Sequence, residues 1–180
     1  MKTMEGLAMT EYVFDIEADG IDATKIHCMI ANGEEVNRFF FKNLTSDDVL
    51  IGHNIIRYDI PTIERLLNIK IKAQLIDTLA LSWYLFPTIN RHGLEQWGER
   101  LNIEKPTITD WENLTREEYI HRCREDVKIN TKLWGLQKSL LIKIYDGDYQ
   151  PLVRYLTFKM KMAMLQEKSK WKLDVDKANT

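Results

Sequence analysis

The 180-residue chain contains only two cysteines, Cys28 and Cys123. They lie far apart in sequence and form no metal-ligand pair, which excludes a thiolate metal centre and a disulfide-dense secreted scaffold. Two unpaired buried thiols are the expected state. No apolar run approaches the roughly 20 residues of a membrane span, so no membrane partner is expected. The opening MKTMEGLAMTE lacks the layout of a signal peptide and carries acids early, which points to a cytoplasmic protein. There are no repeats and no low-complexity segment.

A large net charge is also missing: the formal value is -2. The small total hides an asymmetry. Residues 1–120 carry 12 basic and 20 acidic side chains, whereas residues 121–180 carry 13 basic and 7 acidic ones. An acidic half suited to holding metals and a basic tail suited to a polyanion are one reading. A solvated Lys-rich helical face is the other.

Hydrophobic periodicity organises the chain. Residues 11–17 read as a strand, with a turn at Asp19-Gly20. Residues 25–32 and 36–42 read as two further strands around Asn32-Gly33-Glu34, completing an antiparallel meander. Residues 49–52 (VLIG) read as a short buried strand. In IPTIERLLNI, Ile60, Ile63, Leu66 and Leu67 share a helical face. Residues 75–84 pass from a strand end into a helix, and 93–103 form another amphipathic helix. Thr115 and Glu118 make a capping box for a long helix reaching about Gln137. Gly147 and Pro151 mark a break before a basic amphipathic helix over 152–170. Early strands followed by helices imply an α/β or α+β domain. The tryptophans mostly stand at helical spacing with aliphatics and read as core, Trp83 and Trp97 included.

Four acids stand out together. Asp15 and Glu17 in YVFDIEADG lie two apart at the end of a hydrophobic strand, so both project from one face. Side by side in low dielectric they would repel and one would take up a proton. Asp59 follows IGHNIIRY just before Pro61. Asp126 lies within HRCREDVKIN on the long helix. Singly, Asp59 could cap a helix and Asp126 could be one more solvated charge. Jointly, they can converge on hard cations that prefer oxygen donors, Mg²⁺ or Mn²⁺. Two such ions about 4 Å apart suit in-line phosphodiester cleavage.

These blocks resemble the motifs of the DEDD (DnaQ-like) 3′–5′ exonucleases: D-x-E at Asp15-Ile16-Glu17, N-x-x-x-Y-D from Asn54 to Tyr58-Asp59, and the third aspartate at Asp126. FDIEADG, IHCMI, HNIIRYDIP, IDTLALSWYL and GLEQWGERLN resemble most the exonuclease domain of bacteriophage family-A DNA polymerases. The resemblance implies an RNase H-like α/β fold, a central mixed sheet flanked by helices. It implies Asp15, Glu17, Asp59 and Asp126 as ligands of two divalent cations, Mg²⁺ or Mn²⁺. Ile16 (through its backbone), Asn54 and Tyr58 would meet the 3′-terminal nucleotide. Residues 1–150 would form the exonuclease domain and 151–180 a basic helical extension.

Family members also carry a residue that handles the attacking water. One branch has a tyrosine four positions before the last aspartate, where this chain has Arg122. The other has a histidine five positions before it, which matches His121. Histidine suits a general base and arginine does not, so His121 is the expected base. On one continuous helix, residues five apart point about 140° away from each other. His121 therefore reaches the metals only if the helix begins near Arg122. Asp77 is expected to hold a loop or cap a helix, His53 and His92 to be structural, and His27 to pack on a strand.

The implied activity is removal of 5′-mononucleotides from the 3′ end of single-stranded DNA or frayed ends, in phage DNA replication, proofreading or DNA degradation. A separate DNA polymerase subunit is a candidate partner, and Arg57, Arg91 and the lysines of 159–172 are candidate backbone contacts. An RNA-directed exonuclease and an inactive binding module of the same fold are the alternatives.

Overall fold

A computed structural model describes residues 9–103, 114–169 and 174–178. Its strands are β1 (Thr10–Ala18), β2 (Ile26–Ala31), β3 (Glu34–Glu35), β4 (Asp48–Gly52) and β5 (Gln74–Asp77). They form one sheet in the order β3-β2-β1-β4-β5. β1 pairs antiparallel with β2 and parallel with β4, and β4 runs parallel to β5. The sheet is therefore mixed. The helices are α1 (Arg38–Asn43), α2 (Asp59–Leu67), α3 (Thr78–Leu85), α4 (Leu94–Arg100), α5 (Arg116–Ile144), α6 (Gln150–Ser169) and α7 (Val175–Ala178).

Strand alternation divides the core between the two faces of the sheet. Val13, Cys28, Ile30, Val49, Ile51 and Ile76 pack with Cys123, Val127, Trp134 and Leu141 of α5. Phe14, Ile16, Ala31 and Leu50 pack with Phe41 of α1 and with Ile60 and Ile63 of α2. Odd-numbered β1 residues thus face α5, which sets the direction of Asp15 and Glu17. Val153 and Met160 of α6 are buried, one in each cluster. Among the described residues no helix is long and apolar enough to cross a membrane.

The third strand departs from the pattern expected. β3 holds only two residues, and 38–43 are helical. Two local causes account for this. The Asn37 side chain accepts the Phe39 amide at 2.9 Å and caps α1. The run Phe39-Phe40-Phe41 has no alternation to sustain a half-buried strand, whereas a helix buries Phe41 and leaves Phe39 outside. The hairpin turn itself is as expected, with Asn32 and Gly33 at φ 49° and 88°.

The long helix starts where its capping box predicts. Thr115 Oγ1 accepts the Glu118 amide, and the Glu118 carboxylate accepts the Thr115 amide at 2.7 Å. It then runs past Gln137 to Ile144. Pro151 lies in the first turn of α6 and so starts that helix, where its missing N–H costs nothing. Trp97 is buried, but Trp83 is 44% exposed and is not core. Trp111, Trp171, Lys170 and Lys172 lie outside the described residues.

Candidate metal centre

β4 pairs with β1 only from Thr10 to Val13. Beyond Val13 that side of β1 has no ladder, and the Ile16 amide donates instead to the Asp59 carboxylate. A tight turn after β4 brings Asp59 there. A Cβ on Gly52 would lie 2.1 Å from Ile55 Cγ2 and 3.1 Å from the Phe14 carbonyl, so the close approach requires glycine. Asn54 then takes a left-handed φ of 66°. Its amide donates to Asp77 Oδ1 at 3.1 Å, which pins the loop to the end of β5. Asp59 is the first residue of α2 and is 3% exposed.

Asp15 and Glu17 on β1 meet Asp126 on α5: each offers a carboxylate oxygen, and these oxygens all lie within 4.8 Å of one another. Asp126 is 5% exposed. Burial drives the Asp15 carboxyl well above the ordinary range, and the charges of Asp59, Asp126 and Glu17 push it further. Burial raises Asp59 to about 8, against hydrogen bonds from its own amide and that of Ile16. Asp15, Glu17 and Asp126 therefore come together, Asp59 acts on Asp15 through its charge, and these neighbours oppose the ionisation of Asp15.

Oxygen-only donors crowded around a buried carboxyl that resists ionisation fit a hard divalent cation. Such an ion would hold Asp15, Glu17 and Asp126 ionised together. Asp59, whose charge acts directly on Asp15, borders the same space.

His121 is not brought to this cluster. Arg116–Ile144 is one continuous helix, so the later start that His121 would need does not occur. His121 is exposed, on a face turned about 140° from Asp126. Its neighbours Arg122 and Cys123, four and three positions before Asp126, share the inward face instead. Arg122 Nε donates to Glu17 Oε1 at 2.7 Å. Cys123 Sγ donates to Asp15 Oδ2 at 3.5 Å. Helical spacing from Asp126 was the signal that could have found both contacts.

Cys28 and Cys123 are the two unpaired buried thiols expected, and a hydrogen bond links them. Both are free and buried. The hydrogen bond between them lowers the Cys28 pKa and raises that of Cys123.

The residues expected to meet the nucleotide have separate surroundings. The Tyr58 hydroxyl donates to the Gly20 carbonyl at 2.7 Å. Asn54 Oδ1 is buried with no hydrogen-bond partner among the described residues. The Ile16 side chain is buried. Arg57 pairs with Glu167 of α6, while Arg91 is exposed. Asp77 serves as expected: it caps α3 through the Leu79 and Ala80 amides and holds the loop through Asn54 and Ile56. His53 and His92 are tied to Thr78 and Ser82, and His27 stacks on Tyr119 at 4.0 Å.

No family model matches the chain. One curated relative, the PolC-type DNA polymerase III of Mycoplasma genitalium, is 38% identical over 82 residues. That match covers 43% of this chain and 5% of the relative, so the chain spans a small part of that protein's length. Among solved structures, Brucella melitensis NrnC with bound Mg²⁺ superposes with a TM-score of 0.64 at 14% identity, covering 92% of this chain and 90% of that one. NrnC bound to pGG gives 0.65 at 14% identity, covering 97% and 94%. The apo form of a nuclease gives 0.64 at 16%, covering 93% and 90%. With its five-stranded mixed sheet flanked by helices, the chain has the RNase H-like fold of the DnaQ-like exonucleases.

Proposed function

We propose that the protein is a metal-dependent 3′–5′ exonuclease that hydrolyses the terminal phosphodiester of single-stranded DNA and releases 5′-mononucleotides. The observation that carries this is the convergence of Asp15, Glu17 and Asp126 within 4.8 Å, with the charge of Asp59 acting on Asp15, on this fold. Asp15, Glu17, Asp59 and Asp126 would hold Mg²⁺ or Mn²⁺, which when bound activates the attacking water and stabilises the leaving oxygen. Each of the other parts belongs to the chain. Asn54 Oδ1, buried and unpartnered, accepts from the terminal sugar or base. Tyr58, fixed by Gly20, lines the same rim. The exposed lysines of α6 offer contacts to the phosphate backbone.

The PolC-type relative favours DNA, as does the resemblance of FDIEADG and HNIIRYDIP to phage family-A polymerase exonuclease domains. An RNA-directed 3′–5′ exonuclease is the second reading, favoured by the NrnC structure bound to pGG. Digestion of 3′-labelled single-stranded DNA and RNA with Mg²⁺, Mn²⁺ or EDTA separates them. The expected result is shortening of DNA from its 3′ end, abolished by EDTA. Faster loss of RNA selects the second reading. If neither strand shortens with Mn²⁺, the exonuclease reading is wrong.

A further inference from the structure

The carboxylate cluster already faces one cation, and it belongs to the chain. Arg122 Nε lies 2.7 Å from Glu17 Oε1, with side chains only 19% and 14% exposed. A pair this enclosed is weakly screened by salt. The guanidinium keeps its charge at any working pH. Its position is not a chance of side-chain rotation. Four residues before Asp126, on a helix whose start is held by the Thr115–Glu118 box, Arg122 must face β1.

The charges decide what this does to metal binding. Four carboxylates and the guanidinium sum to minus three. One divalent cation brings the site to minus one. A second brings it to plus one, with two dications and a guanidinium sharing the same oxygens. Glu17 would have to serve both Arg122 and a metal.

We propose that Arg122 is a positioning residue that occupies the Glu17 side of the centre as a built-in cation. The site takes one divalent cation readily and admits a second only as the guanidinium leaves Glu17. This rests on reading the cluster as a metal centre, but not on which strand is cut.

The test counts ions rather than turnover. Mn²⁺ is titrated into the full chain, with free Mn²⁺ followed by electron paramagnetic resonance, for the parent, Arg122→Gln and Arg122→Lys. The parent should bind one Mn²⁺ tightly and a second at least about tenfold more weakly. That gap is of the order expected for one nearby unit charge in a partly buried site. In Arg122→Gln the second affinity should rise about tenfold. Arg122→Lys, which keeps the charge, should stay near the parent. In EDTA, Arg122→Gln should melt below the parent, and Mn²⁺ should raise its melting temperature more than the parent's. Two equal sites in the parent, or a second affinity unchanged in Arg122→Gln, overturn the role of Arg122 and leave the metal centre standing. If Arg122→Gln does not fold, Arg122→Met, which removes the charge and keeps the apolar stem, carries the same expectation and the same power to overturn. A parent that binds no Mn²⁺ overturns the metal centre itself, and this inference with it.

Discussion

Two parallel strands of this sheet end in acid at least half withdrawn from solvent, and they do so in opposite ways. At the end of β5, Asp77 accepts the amides of Asn54, Ile56, Leu79 and Ala80 at 3.0 to 3.3 Å. At the end of β1, Asp15 and Glu17 face Asp126, with Asp59 adding its charge to Asp15. Burial raises the pKa of both Asp77 and Asp15. The difference lies in what comes next. Around Asp77 the backbone supplies donors that oppose the shift. Around Asp15 the largest remaining influences are further carboxylates. One acid is satisfied by backbone amides, while the other has the Cys123 thiol and a crowd of like charges. The first should govern stability and the second activity.

Substitutions at the two strand ends should therefore separate these quantities. Asp15→Asn removes a charge from the crowded centre. Its cleavage rate with Mn²⁺ should fall by about 10³-fold or more, the scale of losing an electrostatic contact to the reacting centre. In EDTA the same variant should melt above the parent, because folding no longer has to protonate a buried carboxyl or hold it charged against its neighbours. A parental rate, or a lower melting temperature in EDTA, would break the comparison on the β1 side. Asp77→Ala leaves four amides without their acceptor, one pair at an N-cap. Denaturant titration should show a loss of about 2–4 kcal/mol. If stability is unchanged, the β5 acid is not the structural one.

The comparison also has a pH signature. Asp59 is raised to about 8 and Asp15 lies well above the ordinary range. The folded state then binds protons that the unfolded state releases near pH 4. Stability in EDTA should fall as pH rises from about 4 to about 8, with no penalty from these groups below that window. Mg²⁺ should flatten the slope by holding the carboxylates ionised. Melting temperatures at pH 5.5 and 8, with and without Mg²⁺, test this. Asp59→Asn should lose much of the EDTA slope, while Asp77→Asn, whose shift is opposed by four amide hydrogen bonds, should lose less of it.

Much of this was readable from the sequence, for physical reasons that also explain the failures. Asp15 and Glu17 could be placed on one face because strand period alone decides it. The start of α5 could be placed because the Thr115–Glu118 box is local. Asp77 as a cap follows from its position just before TLALS. What could not be read depends on tertiary partners. Phe39–Phe41 looked like a strand because an apolar run lacks the alternation that distinguishes the two periods, and only the Asn37 cap settled it. The contact between Cys28 and Cys123 depends on α5 crossing β2, which no spacing reveals. Trp83 has aliphatic neighbours in sequence yet lies on the outer side of α3.

The smallest effect is expected at the residue that motif spacing favoured most. His121 satisfies the five-residue interval to Asp126, and an interval is all that a motif records. On a helix already formed at Arg116, the same interval turns its imidazole away from the carboxylates. The exposed side chain has no proton to take from a water held by Asp15 or Asp126. His121→Ala should leave the rate within about threefold of the parent and the pH profile unmoved, whereas a general base contributes about 10²-fold or more. A loss of that size, measured on 3′-labelled DNA, would mean that α5 begins later when substrate is bound than it does here. It would also return the histidine to the centre, beside the arginine that now stands there.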